Sequence, residues 1–274
     1  MDNEALIRLS CFVSIFVALA SWEFFAPRRT QRISRWVRWP SNIGLSLIST
    51  ILVRIISPSA VVGVALVAEQ RSLGLLNLVA IPNWLAIILA VVLLDLAVYF
   101  QHRVFHRIPM LWRLHRMHHA DLEFDVTTGS RFHPIEILIS LAFKIVVVLL
   151  LGTSAIAVLV FEVLLNGTAM FNHGNIKIPV ITDKFLRWMV VTPDMHRVHH
   201  SIVHDEMNSN FGFNVPWWDR LLGTYRAQPK AGHDGMTIGV EQFRSPAELR
   251  LDRLLMQPFL SGLTAELKKP ENSD

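Results

Sequence analysis

The segment Gln101–Ala120, QHRVFHRIPMLWRLHRMHHA, carries five histidines in two clusters. His102 and His106 are four residues apart, so on a helix their side chains lie about 40° from each other on one face. The second cluster repeats that pair with a third imidazole added, and the same His-x-x-His-His pattern recurs downstream as HRVHH. The eight histidines of the three clusters are His102, His106, His115, His118, His119, His196, His199 and His200. This exceeds what one metal ion can bind, so the pattern predicts a histidine-ligated site for two metal ions.

A metal site explains this density of histidine better than a structural or pH-sensing role. Burying so many imidazoles without partners would leave many ring nitrogens unsatisfied. Metal ligation removes that cost, and spacings of three and four residues suit ligands that project from one helix. Imidazole binds iron, zinc, copper and nickel, so the type of ligand alone does not select the metal.

The composition indicates an integral-membrane protein. Of the 274 residues, 52% are hydrophobic, and they are concentrated in runs long enough to cross a bilayer. The formal net charge is +4, but much of the local excess of basic residues lies between Arg28 and Arg38, directly after an apolar run. That placement is typical of the cytoplasmic end of a membrane helix, so we expect no nucleic-acid partner. The single cysteine, Cys11, excludes an intramolecular disulfide and metal sites that need several thiolates.

Apolar runs predict an all-α integral membrane protein with about four to five transmembrane helices. The runs cover roughly 5–25, 43–68, 83–99, 135–151 and 155–170. Arg54 and Ser57-Pro58 interrupt the second run, which we interpret as one broken span, with a re-entrant hairpin as the alternative. Because the arginine-rich segment should stay inside the cell, the histidine clusters are expected in a helical cap on the cytoplasmic side.

We expect three regions along the chain. Residues 1–82 would form an N-terminal transmembrane region, and residues 83–226 the catalytic core, with membrane helices and the cytoplasmic cap. Residues 227–274 would form a C-terminal cytoplasmic helix and tail. Ser245–Glu248 fits a capping box that opens an amphipathic helix to about Met256. The polar end of the tail, residues 271–274, is expected to be disordered.

Two charged residues in neighbouring apolar runs are expected to interact. Lys144 and Glu162 lie at similar distances from the turn Gly152-Thr153-Ser154, so they should lie at similar depth in the membrane. A lone charge in the bilayer is costly. The sequence therefore predicts that the two side chains pair, or that each faces a polar interior.

Asp95 is a further ionisable residue within an apolar run. Together with Tyr99, His102 and His106 it forms a single stripe along one predicted helix. Two interpretations stay open from the residues alone. Asp95 pairs with another group in the helix bundle, or it orients a ligand imidazole through a hydrogen bond.

The order of the motifs HRVFH, HRMHH and HRVHH resembles that of the fatty acid hydroxylase/sterol desaturase superfamily. The chain is also similar to that superfamily over about residues 87–226, and it resembles the alkylglycerol monooxygenase branch. Supporting matches are Asp95-Leu96 with Tyr99, Phe132-His133-Pro134, Asn172–Asn175, Asn210–Gly212 and Trp218–Tyr225.

This resemblance implies an O2-dependent enzyme with two iron ions. Its reaction would hydroxylate or desaturate a C–H bond of a sterol, a fatty acyl group or an alkylglycerol-type lipid drawn from the bilayer. The eight clustered histidines would be metal ligands, with His173 as a ninth. His133 stays open between a ligand, a support for a ligand and a helix cap. Zinc can displace ferrous iron from such ligands during overexpression, so isolated protein could contain zinc.

Four further residues are expected to support the site through hydrogen bonds, and others to lie away from it. The supporting residues are Asp95, Tyr99, Asp194 and Asp219. His204 and His233 match none of the spacings and are expected at the surface. Trp217-Trp218 is interpreted as an aromatic anchor at the membrane interface.

The sequence shows no Gly-x-Gly-x-x-Gly nucleotide fingerprint and no cysteine set for an iron–sulfur cluster. We therefore expect a separate electron-transfer protein to dock on the basic cytoplasmic face. One alternative function is a zinc-dependent membrane hydrolase, which needs fewer histidines and no O2. Another is a non-enzymatic metal transporter or sensor, which predicts ligands near the middle of the bilayer. A bis-histidine haem protein would leave the histidine triplets unexplained.

Overall fold

The computed structural model describes residues 4–57 and 60–260, whose regular secondary structure is helical apart from two isolated β-bridges. The helices are α1 (Glu4–Phe25), α2 (Arg35–Ile56), α3 (Ala60–Gln70), α4 (Asn83–Arg107), α5 (Pro109–His119), α6 (Pro134–Leu151), α7 (Ala155–Asn172), α8 (Val180–Leu186), α9 (Pro193–His199), α10 (His204–Met207), α11 (Trp217–Leu221), α12 (Gly232–Gly235) and α13 (Leu251–Met256).

Five segments of the described chain are long and apolar enough to cross a membrane. They are α1, the segment Arg35–Asn77 that contains α2 and α3, then α4, α6 and α7. The prediction of an all-α membrane protein with about four to five spans is therefore confirmed. We call residues 108–133 and 173–260 the cap.

The segment predicted as one broken span has its ends at opposite ends of the bundle. Near the start of α2, the Arg38 guanidinium donates to Asp121 of the cap at 2.7 Å. Beyond α3, the Asn77 amide donates to the carbonyl of Gly152 at the α6–α7 turn at 3.1 Å. Gly74, with φ of +92°, lies so close that a Cβ there would meet the Gly152 nitrogen at 2.1 Å. One crossing, not a re-entrant hairpin, accounts for this placement.

Lys144 and Glu162 pair as predicted, with the Lys144 ammonium 2.8 Å from a Glu162 carboxylate oxygen. The structure adds a second cation, because Arg8 of α1 also contacts the Glu162 carboxylate. Arg8 in turn pairs with Glu4 at 2.8 Å. Glu162 is thus the shared anion that joins α1, α6 and α7.

Because Glu162 is shared, replacing it should cost more than replacing either cation. We expect Glu162→Ala to lower the free energy of unfolding by about 3 kcal/mol, since it leaves Lys144 without its anion and leaves Arg8 with Glu4 alone. Lys144→Ala should cost less, because Glu162 keeps Arg8. Thermal unfolding of the two variants in the same detergent measures the difference. Equal midpoints would contradict the shared-anion arrangement.

The predicted continuous helix from Ser245 to Met256 is wrong. A short 3-10 turn, Pro246–Leu249, and α13 are separated by Arg250, whose backbone is extended (φ −71°, ψ 145°). Leu249 and Leu254 are both fully buried, yet residues five apart would point about 140° from each other on one helix. The break lets both enter the core. The tail predicted to be disordered, residues 271–274, lies outside the described residues.

Candidate metal centre

Three helices present the clustered histidines at the cap end of the bundle. α4 runs past its apolar part to Arg107, so His102 and His106 lie on its last turns. Pro109 is the first residue of α5, which carries the second cluster. Pro193 opens α9, which carries the third, and Thr192 occupies the N-cap position without a side-chain capping bond. Proline at the first helical position suits both helix starts, because its fixed φ is helical.

The structure divides nine buried histidines into a group of five and a group of four. Within each group, the candidate ligand nitrogens all lie within 4.8 Å of one another. The five-histidine group contains His102, His106, His115, His119 and His199. The four-histidine group contains His118, His173, His196 and His200.

In each group, the Nε2 atom of one histidine lies close to those of at least two other members. In the five-histidine group, the Nε2 of His102 is 3.1 Å from the Nε2 atoms of His115 and His199. In the four-histidine group, the Nε2 of His173 is 3.1 Å from those of His196 and His200. The Nε2 of His173 is also 3.2 Å from that of His118.

Each His-His dipeptide is split between the groups. Consecutive helical residues point about 100° apart, whereas residues four apart share a face. His115 and His119 therefore join one group, while His118 between them joins the other. The third cluster is split in the same way. His196 and His200, four residues apart, join the four-histidine group, while His199 joins the five-histidine group. The rings of His119 and His200 stack at 4.5 Å, so the two groups touch.

The hydrogen bonds of the ring nitrogens show that the site fits metal ions. Five of the histidines place Nδ1 against an oxygen acceptor, so Nδ1 carries the proton and Nε2 keeps a lone pair. Nε2 atoms that face each other at 3.1–3.2 Å therefore repel unless they share a cation. Nitrogens bound to one ion at 2.0–2.1 Å would lie about 3.0–3.4 Å apart. The five Nδ1 bonds are His102 to Phe211 O, His115 to Glu136, His118 to Arg131 O, His173 to Ala169 O and His199 to Ser209 O.

Burial favours the neutral form of six grouped histidines in the cap. It lowers the pKa of His173 to about 4 and that of His199 to about 3. The pKa values of the other four are also far below the ordinary value, through burial and then through neighbouring histidines; these are His118, His119, His196 and His200. Neutral imidazole is the form that binds metal. At neutral pH, no proton therefore bridges the facing Nε2 atoms of the four-histidine group.

Two residues at the start of α6 have roles that the sequence left open or did not predict. His133 lies outside both groups: its Nδ1 accepts from the Ile135 amide and its Nε2 donates to the Leu255 carbonyl, both at 3.2 Å. His133 is therefore a helix cap, and its assignment as a ligand is not supported. Glu136, in the first turn of α6, accepts from His115 Nδ1 at 2.7 Å. The sequence signal that could have identified Glu136 is an acidic residue at the start of an apolar run.

Asp219 orients His102 through the backbone. Its two carboxylate oxygens accept from the amides of Phe211 and Gly212 at 2.8 and 2.9 Å. The Phe211 carbonyl in turn accepts from His102 Nδ1 at 2.8 Å. A Cβ on Gly212 would lie 2.8 Å from the Asp219 carboxylate, so glycine is required there. Burial raises the pKa of Asp219.

Asp95 and Tyr99 hold the same loop and touch no ligand nitrogen. Asp95 accepts from the Trp218 indole at 2.7 Å and from the Asn214 amide at 3.3 Å. The Tyr99 hydroxyl lies 2.8 Å from that of Thr224. Direct orientation of an imidazole by Asp95 is therefore contradicted, since Asp95 lies seven residues, roughly 10 Å along the helix, before His102.

Asp194 lies on the outer side of α9 and also touches no ligand. It pairs with Arg28 at 3.1 Å and with Arg197, which fixes α9 to the segment after α1. His233, 3.8 Å from Asp194, is buried, so its expected surface position is wrong. His204 is exposed, as expected.

Removing the Asp219 carboxylate should weaken metal binding. We expect Asp219→Ala to lower metal affinity by about 10–100-fold, because the backbone that orients His102 loses its acceptor. Equilibrium competition with a chelator measures the change. Asp205→Ala, at an exposed cap position, is the control and should match the unmodified protein. Equal affinities in the two variants would contradict the role given to Asp219.

Comparison with known proteins adds sequence relatives to this geometry. The family model described as fatty acid hydroxylase matches residues 87–224. An ornithine lipid hydroxylase of Rhizobium tropici is 32% identical over 149 residues, 54% of this chain and 44% of the relative. An alkylglycerol monooxygenase of Xenopus tropicalis is 25% identical over 167 residues, 59% of this chain and 35% of the relative. A human cholesterol 25-hydroxylase is 27% identical over 144 residues, 51% of each chain.

The similarity is confined to part of each relative. The chain spans about half or less of the length of these three proteins. No solved structure matches the chain significantly. The matched residues nevertheless contain all nine histidines of the two groups.

Proposed function

Because the chain belongs to the fatty acid hydroxylase family, we propose that it is an O2-dependent lipid oxidoreductase with two iron ions. It would hydroxylate or desaturate a C–H bond of a sterol, a fatty acyl group or an alkylglycerol-type lipid. The observation that carries this proposal is the pair of buried histidine groups at the end of the membrane helices. The relatives named above, which are hydroxylases and monooxygenases of lipids, support the reaction class.

The nine histidines would hold one iron ion in each group. When bound, the two ions would supply the activation of O2 needed to oxidise an unactivated C–H bond. The chain itself supplies orientation, because carbonyl oxygens hold the Nδ1 protons of His102, His118, His173 and His199 and so aim each Nε2 inward. Glu136 does the same for His115.

Aromatic side chains wall the site and exclude water. Phe211 lies 5.1–5.4 Å from the rings of His102, His106 and His199. Phe132 stacks on a histidine of the four-histidine group at 4.4 Å. A dry site favours oxidation of the lipid over side reactions with water.

The lipid would approach from the bilayer side, beside Phe213. This half-buried ring lies 5.0 Å from His102 and 6.3 Å from His196, and so contacts both groups. Its neighbour Asn214 is bonded to Asp95 within the span α4. A carbon of the lipid placed next to Phe213 would therefore face both metal positions.

The location and the electron source belong to the same proposal. The arginines that follow α1 favour a cytoplasmic position for the cap. A separate electron-transfer protein would then dock on that basic face. We expect the isolated protein to give little turnover with NADPH alone, and robust multiple turnover under those conditions would contradict the need for a partner.

The three-region division also belongs to the proposal. All nine grouped histidines fall within residues 83–226, the proposed catalytic core. Leu254 of α13 packs with Leu45 of α2 and Met117 of α5, so the C-terminal region adheres to both others. The described part of that region would therefore fold with the core.

Iron content and spectroscopy test the function. Protein from iron-supplied cells should contain two irons per chain that are magnetically coupled in the oxidised Mössbauer spectrum. Turnover of a lipid panel with a supplied electron donor would then identify the substrate. A single tightly held zinc with no iron would overturn the proposal in favour of a membrane hydrolase.

A further inference from the structure

Six large apolar side chains on one edge of the cap are exposed to between 62% and 74%. They lie outside the five candidate spans. We call them the cap-edge patch: Val180, Ile181, Phe185, Trp188, Met189 and Leu221. Apolar patches of this kind on a folded surface mark sites that contact a partner or a membrane.

The chain enters the patch from the end of a membrane helix. α1 ends at Phe25, and the Lys177 amide donates to the carbonyl of the next residue, Ala26, at 3.0 Å. Pro27 and Ile176 form an isolated β-bridge at the same place. α8 begins three residues after Lys177, so its start lies level with the end of a span.

The chain leaves the patch at a point on the bilayer side of the histidines. The Val191 amide donates to the Asn214 carbonyl at 3.0 Å, and the Asn214 amide donates to Asp95 at 3.3 Å. Asp95 lies in the span α4, roughly 10 Å deeper than His102. Both ends of the α8 segment are therefore tied to the membrane boundary.

Helix α11, which carries Leu221 of the patch, is bonded to the α8 segment and so lies at the same depth relative to the membrane. The Trp217 indole donates to the Trp188 carbonyl at 2.8 Å. The Arg220 guanidinium lies 4.0 Å from the rings of both Trp188 and Tyr225. Tryptophan and arginine side by side are typical of the interface between acyl chains and headgroups.

The charge around the patch suits an anionic membrane surface. Lys177 and Lys184 are exposed beside the apolar side chains. Asp183, the acid of α8, is instead buried and paired with Arg187 at 2.6 Å. An apolar face with a basic edge describes a helix that lies in the plane of an anionic leaflet.

From these observations we propose that α8 and the cap-edge patch lie in the interfacial layer of the membrane. The six apolar side chains contact acyl chains, and Lys177 and Lys184 contact anionic headgroups. This inference concerns membrane contact and stands independently of the reaction.

Spin labels test the proposal on the full chain in nanodiscs of phosphatidylcholine and phosphatidylglycerol. The single cysteine is first removed as Cys11→Ala, and labels are attached at Phe185→Cys or Met189→Cys. Ile51→Cys, exposed on α2, serves as the lipid control, and Asp205→Cys, exposed on the cap, as the water control. The readout is the accessibility ratio of the label to O2 and to a water-soluble nickel complex.

We expect the ratio at positions 185 and 189 to exceed that at 205 several-fold and to approach that at 51. A ratio equal to that at 205 would place the patch in water and overturn the proposal. Exclusion of both reagents, with dipolar broadening between labels, would overturn it in favour of an interface with a second copy. These readouts use no turnover, so they are separable from any failure of the proposed function.

The headgroup contact has its own readout. Charge reversal by Lys177→Glu with Lys184→Glu should lower the ratio at position 189 in nanodiscs that contain phosphatidylglycerol. The same variant in pure phosphatidylcholine should change little, since no anionic headgroup is present. An equal change in both lipids would contradict the assignment of the two lysines to anionic headgroups.

Discussion

Replacing His173 by alanine is expected to reduce the metal content from two ions per chain to about one and to abolish turnover. His173 is the centre of the four-histidine group, with its Nε2 at 3.1–3.2 Å from those of the three other members. Even the loss of a residue that only supports a ligand typically costs 10–100-fold in affinity or activity. Loss of the central ligand should cost more than about 100-fold. Metal analysis and turnover of the purified variant measure both effects.

His102→Ala is the matched experiment in the other group. The Nε2 of His102 lies 3.1 Å from those of two other members of the five-histidine group, so that group should lose its ion while the four-histidine group keeps its own. Two residual ions in either variant would contradict the assignment of one ion to each group.

Two further histidines serve as controls of the same residue type. His204 is exposed and outside both groups, so His204→Ala should keep both ions and full turnover. His133 caps α6 through its bond to the Ile135 amide. His133→Ala should keep both ions and lose about 1 kcal/mol of stability. Loss of an ion from that variant would restore the ligand assignment that its position argues against.

Replacing Arg38 is expected to cause the largest loss of stability. Its guanidinium donates twice to Asp121 at 2.7 Å and once to Asp125 at 2.5 Å, and all three side chains are fully buried. Removing one partner of a buried ion pair costs about 3–5 kcal/mol, because the remaining charges stay buried without compensation. We therefore expect Arg38→Met to lower the thermal midpoint in detergent by more than about 5 °C.

The Arg38→Met substitution should also affect the metal centre. Arg131 donates to Asn42 beside this network, and its carbonyl holds His118 Nδ1 at 3.2 Å. Loosening the network should therefore reduce metal binding in the four-histidine group. Arg32→Met, an exposed arginine of the same basic segment, is the control. Equal midpoints for the two variants would show that the buried network contributes no more than a surface arginine.

The Asp121 carboxyl determines the direction in which the stability of this network changes with pH. Although burial alone would raise its pKa, Arg38 and Arg131 hold the pKa of this carboxyl well below its usual range. A carboxyl whose pKa is depressed in the folded state contributes stability above its unfolded pKa and loses it as the pH falls through the folded value. The contribution of Asp121 is thus fully present at neutral pH and is lost only in strong acid.

The sequence alone determined the features that depend on local spacing. The lengths of the apolar runs gave the number of spans, because bilayer thickness sets the length of a crossing helix. The four-residue spacing placed His102 with His106 and His115 with His119, since such pairs share a helix face. Equal distance from one turn paired Lys144 with Glu162, because it sets equal depth.

Only the tertiary structure decided which distant residues meet. The division of His118 from His119, the bond from Glu136 to His115 and the indirect action of Asp219 all depend on how separate helices are oriented. His233 was misplaced for the same reason, since it is buried beside Asp194. Packing likewise selected the helix cap among the three roles left open for His133. Helix periodicity sets angles within one element. The partners of a side chain across elements follow from packing of the whole chain, which no local spacing encodes.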